Sequence, residues 1–468
     1  PVVEVNSNTQ LLYIDFSKDR FELGGSSLGQ VLNRIGEKTP TVKDNVYFGK
    51  AFNAIQELIK NNEIISGHDI SEGGLITALL EMNFANCNGG MNINLTDLNE
   101  NNPVNLLFSE KPSIVIQVNN GNDIIRKLAD QGIVAINIGT PTSERKLKIV
   151  SGEWEKSFDI NKFRKFWYQT SYLLDQHQST PELAKERFNN LENNPLKFNF
   201  PKGFNGSLDH YNLSHFKKNT SGSKAAIIRE KGVNGDREMA YAMYLAGFDV
   251  KDIHMTDLIS AKEDLSDVNF IVFVGGFSNS DVLGSAKGWA GAFKYNQKAN
   301  QALKNFYKRN DTLSLGVCNG CQLMMELGLI NQSNNPNPMK HNDSGKFESN
   351  YITVNIPENK SVMLSSLSGS RLGIYIAHGE GKFENLKGDY NLVMTYTSKD
   401  YPTNPNGSEM NAAGVVSENG RHLAMMPHLE RAIFPWQCAH YPKERQNDEV
   451  TPWIEAFKNA YNWINNQI

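Results

Sequence analysis

Apolar positions along this chain follow two rhythms that alternate over short distances. Over the first 150 positions the pattern predicts a strand at 11–16, a helix at 46–62, a strand at 63–67 and a helix at 71–86. A strand at 113–118, a helix at 123–131 and a strand at 134–140 follow. This order describes an α+β or α/β domain ending near residue 150. From Trp154 to Ser221 the periodicity weakens to one helix at 161–175 and a polar, Asn-rich stretch running through Pro195 and Pro201. That stretch reads as a connector, or as a surface excursion of one neighbour. After Lys224 the alternation strengthens: a strand at 225–229, a helix at 235–246, a strand before His254, and an unbroken apolar run at 268–274 that ends in Gly275-Gly276. Such a run suits a strand buried on both faces of a parallel sheet. One long helix, 286–309, leads to a strand at 312–317, and Asn419-Gly420 between two apolar runs predicts a hairpin. The expected fold is a doubly wound sheet with its chemistry at the carboxyl ends of the strands.

Composition narrows the function. With 468 residues, 39% of them hydrophobic, the chain can bury more than one core, and two or three domains are expected. A net charge of −4 with 21% charged residues offers no nucleic-acid footprint and no polybasic membrane patch, so a small metabolite is the expected partner. No apolar run approaches the length of a bilayer span. The four cysteines (Cys87, Cys318, Cys321, Cys438) are too scattered for a disulfide framework; together with an opening that lacks a signal peptide they point to the cytoplasm. The start at Pro1, which runs quickly into an apolar strand, reads as a piece of something longer.

The chemistry concentrates around Cys318. In Gly316-Val317-Cys318-Asn319-Gly320-Cys321-Gln322 a buried strand turns sharply into a helix, which makes a nucleophile elbow. A helix N-terminus favours a thiolate. Amide hydrolysis also needs a base and a group to orient it. His428 and Glu430, in Met426-Pro427-His428-Leu429-Glu430, supply both if the segment stays extended, because alternate residues then share a side. The Gly275-Gly276-Phe277-Ser278 turn offers backbone N–H groups for an oxyanion hole, although a glycine pair also simply ends a strand. Earlier in the chain, His68-Asp69-Ile70-Ser71-Glu72-Gly73-Gly74 reads either as a metal or phosphate site or as a capped helix.

The elbow, the MPHLER segment and the GGFS turn together resemble the class I glutamine amidotransferase family. The resemblance implies a Cys318-His428-Glu430 triad, glutamine and oxyanion contacts at Gly275, Gly276, Asn319 and Gln322, and hydrolysis of glutamine through a glutamyl thioester with release of ammonia. The segments at 275–290 (GGFSNSDVLGSAKGWA), 377–381 (AHGEG), 404–408 (NPNGS) and 167–172 (WYQTSY) are similar to the formylglycinamidine ribonucleotide synthase family, and the matches span most of the chain. HDISEGG, with LGGSSL at 23–28 and LFSE at 107–110, resembles the C-terminal domain of the aminoimidazole ribonucleotide synthetase superfamily. In that family Asp69 would bind Mg²⁺ and Ser71 a nucleotide phosphate, but Ile70 and Glu72 stand where Arg and Asp are usual.

The implied organisation is an N-terminally truncated synthetase-like α+β domain at 1–150, a connector at 151–220 and a doubly wound, mostly parallel, flavodoxin-like α/β glutaminase domain at 221–468. The implied whole enzyme uses ATP, Mg²⁺ and glutamine to turn formylglycinamide ribonucleotide into its amidine, yielding ADP, phosphate and glutamate in purine biosynthesis. Synthetase domains upstream in the same polypeptide would be its partners, and this piece alone would perform the glutaminase step. Two other readings compete: a C-x-x-C thiol-disulfide oxidoreductase using Cys318 and Cys321, and an inactive scaffold. Zinc lacks a second ligand pair at suitable spacing, and His378, in its Gly-rich turn, is not assigned to the triad.

Overall fold

The structure, a computed structural model, describes residues 2–193, 196–216, 220–331, 335–386 and 390–466. The chain forms two compact units, Pro1–Leu173 and Leu174–Ile468.

The first unit is built on a seven-stranded sheet: β1 (Gln10–Asp15), β2 (Ser66–Asp69), β3 (Gly90–Asn94), β4 (Ser113–Val118), β5 (Ala135–Thr142), β6 (Lys146–Ser151) and β7 (Trp154–Asp159), in the order β2-β4-β1-β5-β3-β6-β7. Its pairings are antiparallel except β3 with β6. Period-two alternation in β1 divides the side chains between two cores. Leu11 and Tyr13 pack with Leu75 and Leu79 of the helix Gly74–Phe84, whereas Leu12 and Ile14 pack with Ala51 and Ile55 of the helix Asn45–Lys60. The sheet runs past the expected boundary at 150, because β7 pairs along the whole of β6. Three of the six β7 residues are consecutive and solvent-exposed, so the strand carries little apolar signal. Beyond it, the helix Ile160–Gln178 includes the Leu173/Leu174 division between the units. Of the connector's punctuation, Pro195 lies outside the described residues.

The second unit holds a nine-stranded mixed sheet. Its strands are β8 (Lys224–Arg229), β9 (Asp249–His254), β10 (Phe270–Phe273), β11 (Leu313–Val317), β12 (Glu348–Asn355), β13 (Arg371–His378), β14 (Asn391–Tyr396), β15 (Ala412–Val416) and β16 (His422–Met425). The run β9-β8-β10-β11-β16 is parallel, and β15, β14, β12 and β13 extend it antiparallel. Every residue of β10 and β11 is buried, as expected for central parallel strands covered on both faces. The hairpin at Asn419-Gly420 joins β15 to β16, with Gly420 at φ 74°. The expected single helix at 286–309 is two helices, Lys287–Tyr295 and Gln297–Lys308. Asn296 breaks it: its backbone is extended and its side chain accepts from the Lys298 and Ala299 N–H groups, capping the second helix. Among the described residues no helix is long and apolar enough to cross a membrane.

Candidate active site

β11 ends at Val317, and the helix Asn319–Glu326 begins two residues later. The reversal is taken up at Cys318, whose backbone lies at φ 53°, ψ −107°, outside the regions open to most side chains. Close backbone packing surrounds it. A Cβ on Gly320 would lie 1.9 Å from the Phe273 carbonyl oxygen, and one on Gly316 would lie 2.5 Å from the Gly320 carbonyl oxygen. The Cys318 N–H donates to the Met425 carbonyl at 2.9 Å, tying the elbow to β16, and its thiol donates to the Ala377 carbonyl at 3.3 Å, at the end of β13.

His428 follows β16 and is fixed from β13, its N–H donating to the Tyr375 carbonyl at 2.9 Å. The segment after it does not stay extended: Leu429–Arg431 is a single 3₁₀ turn, and it is this turn that brings Glu430 Oε1 to 2.6 Å from His428 Nδ1. The pairing expected from the sequence forms, but by a tighter route. Both side chains are buried, and His428 Nε2 has no hydrogen-bond partner among the described residues. The ring and the Cys318 side chain both border Gly275, where a Cβ would lie 2.7 Å from His428 Cε1 and 3.3 Å from Cys318 Cβ. Burial opposes charge on His428, but the Glu430 carboxylate and the sulfur of Cys318 outweigh it and raise the imidazole pKa to about 10. That shift contributes stability which is complete below the ordinary value of 6.5 and is lost as pH rises through about 10. Glu430→Gln removes the larger charge, so the imidazole pKa is expected to fall. The alkaline limb of the pH–rate profile for hydrolysis of glutamine, the substrate that the sequence resemblance implies, should move down by more than about one unit, and a limb that stays in place would refute this coupling.

Asn319 ties the glycine turn to the elbow through its side chain: Oδ1 accepts from the Ser278 N–H at 3.2 Å, and Nδ2 donates to Gln322 Oε1 at 2.8 Å. Gly275 lies beside the Cys318 side chain and Gly276 follows it in the turn, and among the described residues no backbone carbonyl takes their N–H groups. Gln322 is itself braced, donating to the Glu380 carbonyl. His378 is buried, paired through Nδ1 with Asn342 Oδ1 at 3.2 Å, and its Nε2 is unpartnered. Burial and the nearby His428 lower its pKa to about 3, so it is neutral at physiological pH. Cys321 is wholly buried and its thiol pKa is pushed up by that burial, which suits packing and not dithiol exchange. Sequence reading missed the Ala377 carbonyl and Asn342. A backbone acceptor has no side-chain signal, and an asparagine in a polar loop looks like any other turn residue.

Residues 222–464 match the CobB/CobQ-like glutamine amidotransferase domain family, just over half of the chain. The chain belongs to this amidotransferase family. It is also 36% identical to a probable phosphoribosylformylglycinamidine synthase of Caenorhabditis elegans, over 99% of this chain and 38% of that protein. A probable chloroplastic/mitochondrial phosphoribosylformylglycinamidine synthase of Arabidopsis thaliana is 37% identical, over 97% of this chain and 34% of that protein. The phosphoribosylformylglycinamidine synthase of Homo sapiens is 35% identical, over 97% and 36%. The amidotransferase chain thus spans between 34% and 38% of the length of these relatives. Among solved structures, PurLQS from Thermotoga maritima is 25% identical over 53% of this chain and 99% of that one, with a TM-score of 0.40.

The first unit of the amidotransferase chain matches the C-terminal domain of AIR synthase related proteins over residues 21–152. Its three sequence motifs converge on one carboxylate, since Glu110 Oε1 accepts the Ser27 N–H at 2.7 Å and the Gly73 N–H at 2.9 Å. Burial works against charge on Glu110, but those two N–H groups hold its pKa below the usual carboxylate value. Asp69 and Ser71 line an open cleft of about 520 Å³ with Glu72, Glu110 and the apolar Phe16, Phe52 and Ile55. The Asp69 carboxylate is exposed, and among the described residues no group of three or more His, Cys, Asp or Glu is placed to hold a metal. A single exposed carboxylate beside a hydroxyl is a donor set that would suit a Mg²⁺ held mainly by water and phosphate oxygens. Ile70 is buried in the same core as Leu75.

Proposed function

We propose that this chain is the glutamine-hydrolysing, ammonia-supplying part of a phosphoribosylformylglycinamidine synthase. The observation that carries the reading is the meeting of Cys318 and the Glu430-bound His428 beside Gly275. The Cys318 sulfur attacks the side-chain amide carbon of glutamine. The oxygen that becomes anionic faces the N–H groups of Gly275, Gly276 and Asn319. His428 Nε2 passes the thiol proton to the leaving nitrogen and ammonia departs. Nε2 then takes a proton from water, which cleaves the thioester to glutamate and frees the sulfur. Glu430 holds the ring tautomer and balances its charge. Asn319 and Gln322 brace the pocket, and either can still contact glutamine through its unused hydrogen-bonding capacity.

In the whole enzyme the ammonia meets formylglycinamide ribonucleotide activated by ATP, giving the amidine, ADP and phosphate. Asp69 would offer one ligand to a Mg²⁺ that would neutralise phosphate charge there, and Ser71 would offer a hydroxyl to a phosphate of ATP or ADP. Synthetase domains elsewhere in the polypeptide are the partners this reading requires, with no role for nucleic acid or a membrane.

The test is covalent labelling. Incubated with a diazo-ketone analogue of glutamine and mapped by mass spectrometry, the chain is expected to carry the adduct on Cys318, with glutamine protecting it. An adduct on Cys321, or none, would overturn the reading.

A further inference from the structure

The elbow and its base leave unexplained an aromatic pair at the surface beside them. Phe277 directly follows Gly276, and Phe347 directly precedes β12; their ring centroids lie 5.8 Å apart and each residue is 47% exposed. Phe347 also reaches the turn after β13, where a Cβ on Gly379 would lie 3.9 Å from its Cδ2. One ring thus comes from the loop carrying the candidate oxyanion donors. The other rests against the turn that follows Ala377, whose carbonyl takes the Cys318 thiol.

The residues on either side of Phe347 are held from the connector. Lys346 Nζ lies 2.6 Å from Asp175 Oδ1, and Glu348 Oε2 lies 3.3 Å from an Arg187 guanidinium nitrogen, whose other branch reaches Asp175 Oδ2 at 3.2 Å. Tyr401 closes the network: its hydroxyl donates to Glu348 Oε1 at 2.8 Å and receives from Arg187, whose guanidinium stacks 4.8 Å over the Tyr401 ring. The Asp175 and Glu348 carboxylates are 10% and 5% exposed and so are shielded from solvent, while the Arg187 side chain that joins them is 34% exposed. From the other side, Asn342 Nδ2 donates to the carbonyls of Lys346 and His378 at 3.0 and 2.7 Å. Phe347 is therefore gripped at both neighbours, with only its ring left to solvent and Phe277.

We propose that Phe347 is a positioning residue for glutamine hydrolysis, set in place by Arg187 of the connector helix Pro181–Asn189. Its ring braces Phe277, and through Phe277 the backbone of Gly275 and Gly276. Removing either end of this chain of contacts loosens the oxyanion donors and lowers turnover more than it weakens glutamine binding. The proposal rests on the glutaminase reading above.

Glutamine hydrolysis by Phe347→Ala, Arg187→Ala, the double variant and Tyr401→Phe tests it, with Cys318 labelling of the unsubstituted chain as the control. Phe347→Ala should lower kcat by roughly 10- to 100-fold, the range that small misplacements of reacting groups produce, with KM changed by less than about threefold. Arg187→Ala should lower the same parameter, and the double variant should be no worse than Phe347→Ala alone, because both act through one ring. Tyr401→Phe, which deletes a single hydroxyl, keeps the test decisive if Arg187→Ala does not fold; it too should lower kcat. Wild-type kcat in Phe347→Ala, or fully multiplicative losses in the double variant, would overturn the proposal while labelling of Cys318 leaves the glutaminase reading standing. An unsubstituted chain that is neither labelled nor active would overturn both.

Discussion

Cys318→Ala is expected to remove glutamine hydrolysis by roughly 10⁴-fold or more, the scale seen when the nucleophile of a triad is deleted. The sulfur forms the only covalent bond to the substrate in the proposed cycle, and no neighbouring group replaces it. Cys321 lies three residues on but is wholly buried, with its thiol pKa pushed upward. Cys321→Ser should therefore keep hydrolysis within about tenfold, allowing about 1.4 kcal/mol of disturbance from a hydroxyl placed in a packed core. Steady-state glutamate release checks both variants. Equal loss in the two would restore the dithiol reading, and full activity in Cys318→Ala would end the proposal.

Gly320→Ala is expected to have the largest effect on folding. The added methyl would meet the Phe273 carbonyl oxygen at 1.9 Å and its carbon at 2.5 Å, and both are backbone atoms of a fully buried strand. A flexible side chain would swing away, but β10 is held between β8 and β11. Overpacking ordinarily costs about 1–3 kcal/mol, and this contact belongs at or above the upper end. Thermal unfolding should show a Tm lowered by at least about 6 °C, at roughly 2 °C per kcal/mol for a unit of this size. The elbow and β10 should move apart, so the soluble fraction should also lose Cys318 labelling. A Tm within about 1 °C of the unsubstituted chain would show that the strand and helix are not pressed together as described.

The parallel half of the second sheet was legible because its signal is local. The run at 268–274 has no polar residue except Asn269, and the turn around Cys318 places glycine on both sides of a reactive side chain. The partners of that cysteine were legible as residue types but not as geometry. An extended MPHLE segment and a 3₁₀ turn both bring His428 and Glu430 together, and only the turn is realised. Strands β12, β13 and β14 escaped notice, since 348–355 and 391–396 mix Asn, Thr and Glu with apolar residues and pair antiparallel with distant partners. Tertiary pairing decides such segments more than propensity does. Asn296 shows the reverse, a local capping preference that overrides an otherwise continuous helical pattern. The Arg187 network was invisible because its members come from 175, 187, 346, 348 and 401, with no motif among them.

The backbone at Cys318 has a longer consequence. A residue with a Cβ held at φ 53° costs on the order of 1–3 kcal/mol, and glycine alone occupies such a position freely. A change to glycine at that codon would relieve the backbone, though it would also remove a side chain packed in the core. Lineages that no longer need the reaction would be free to drift there, and in those that keep cysteine the strained backbone is held for the sake of the chemistry.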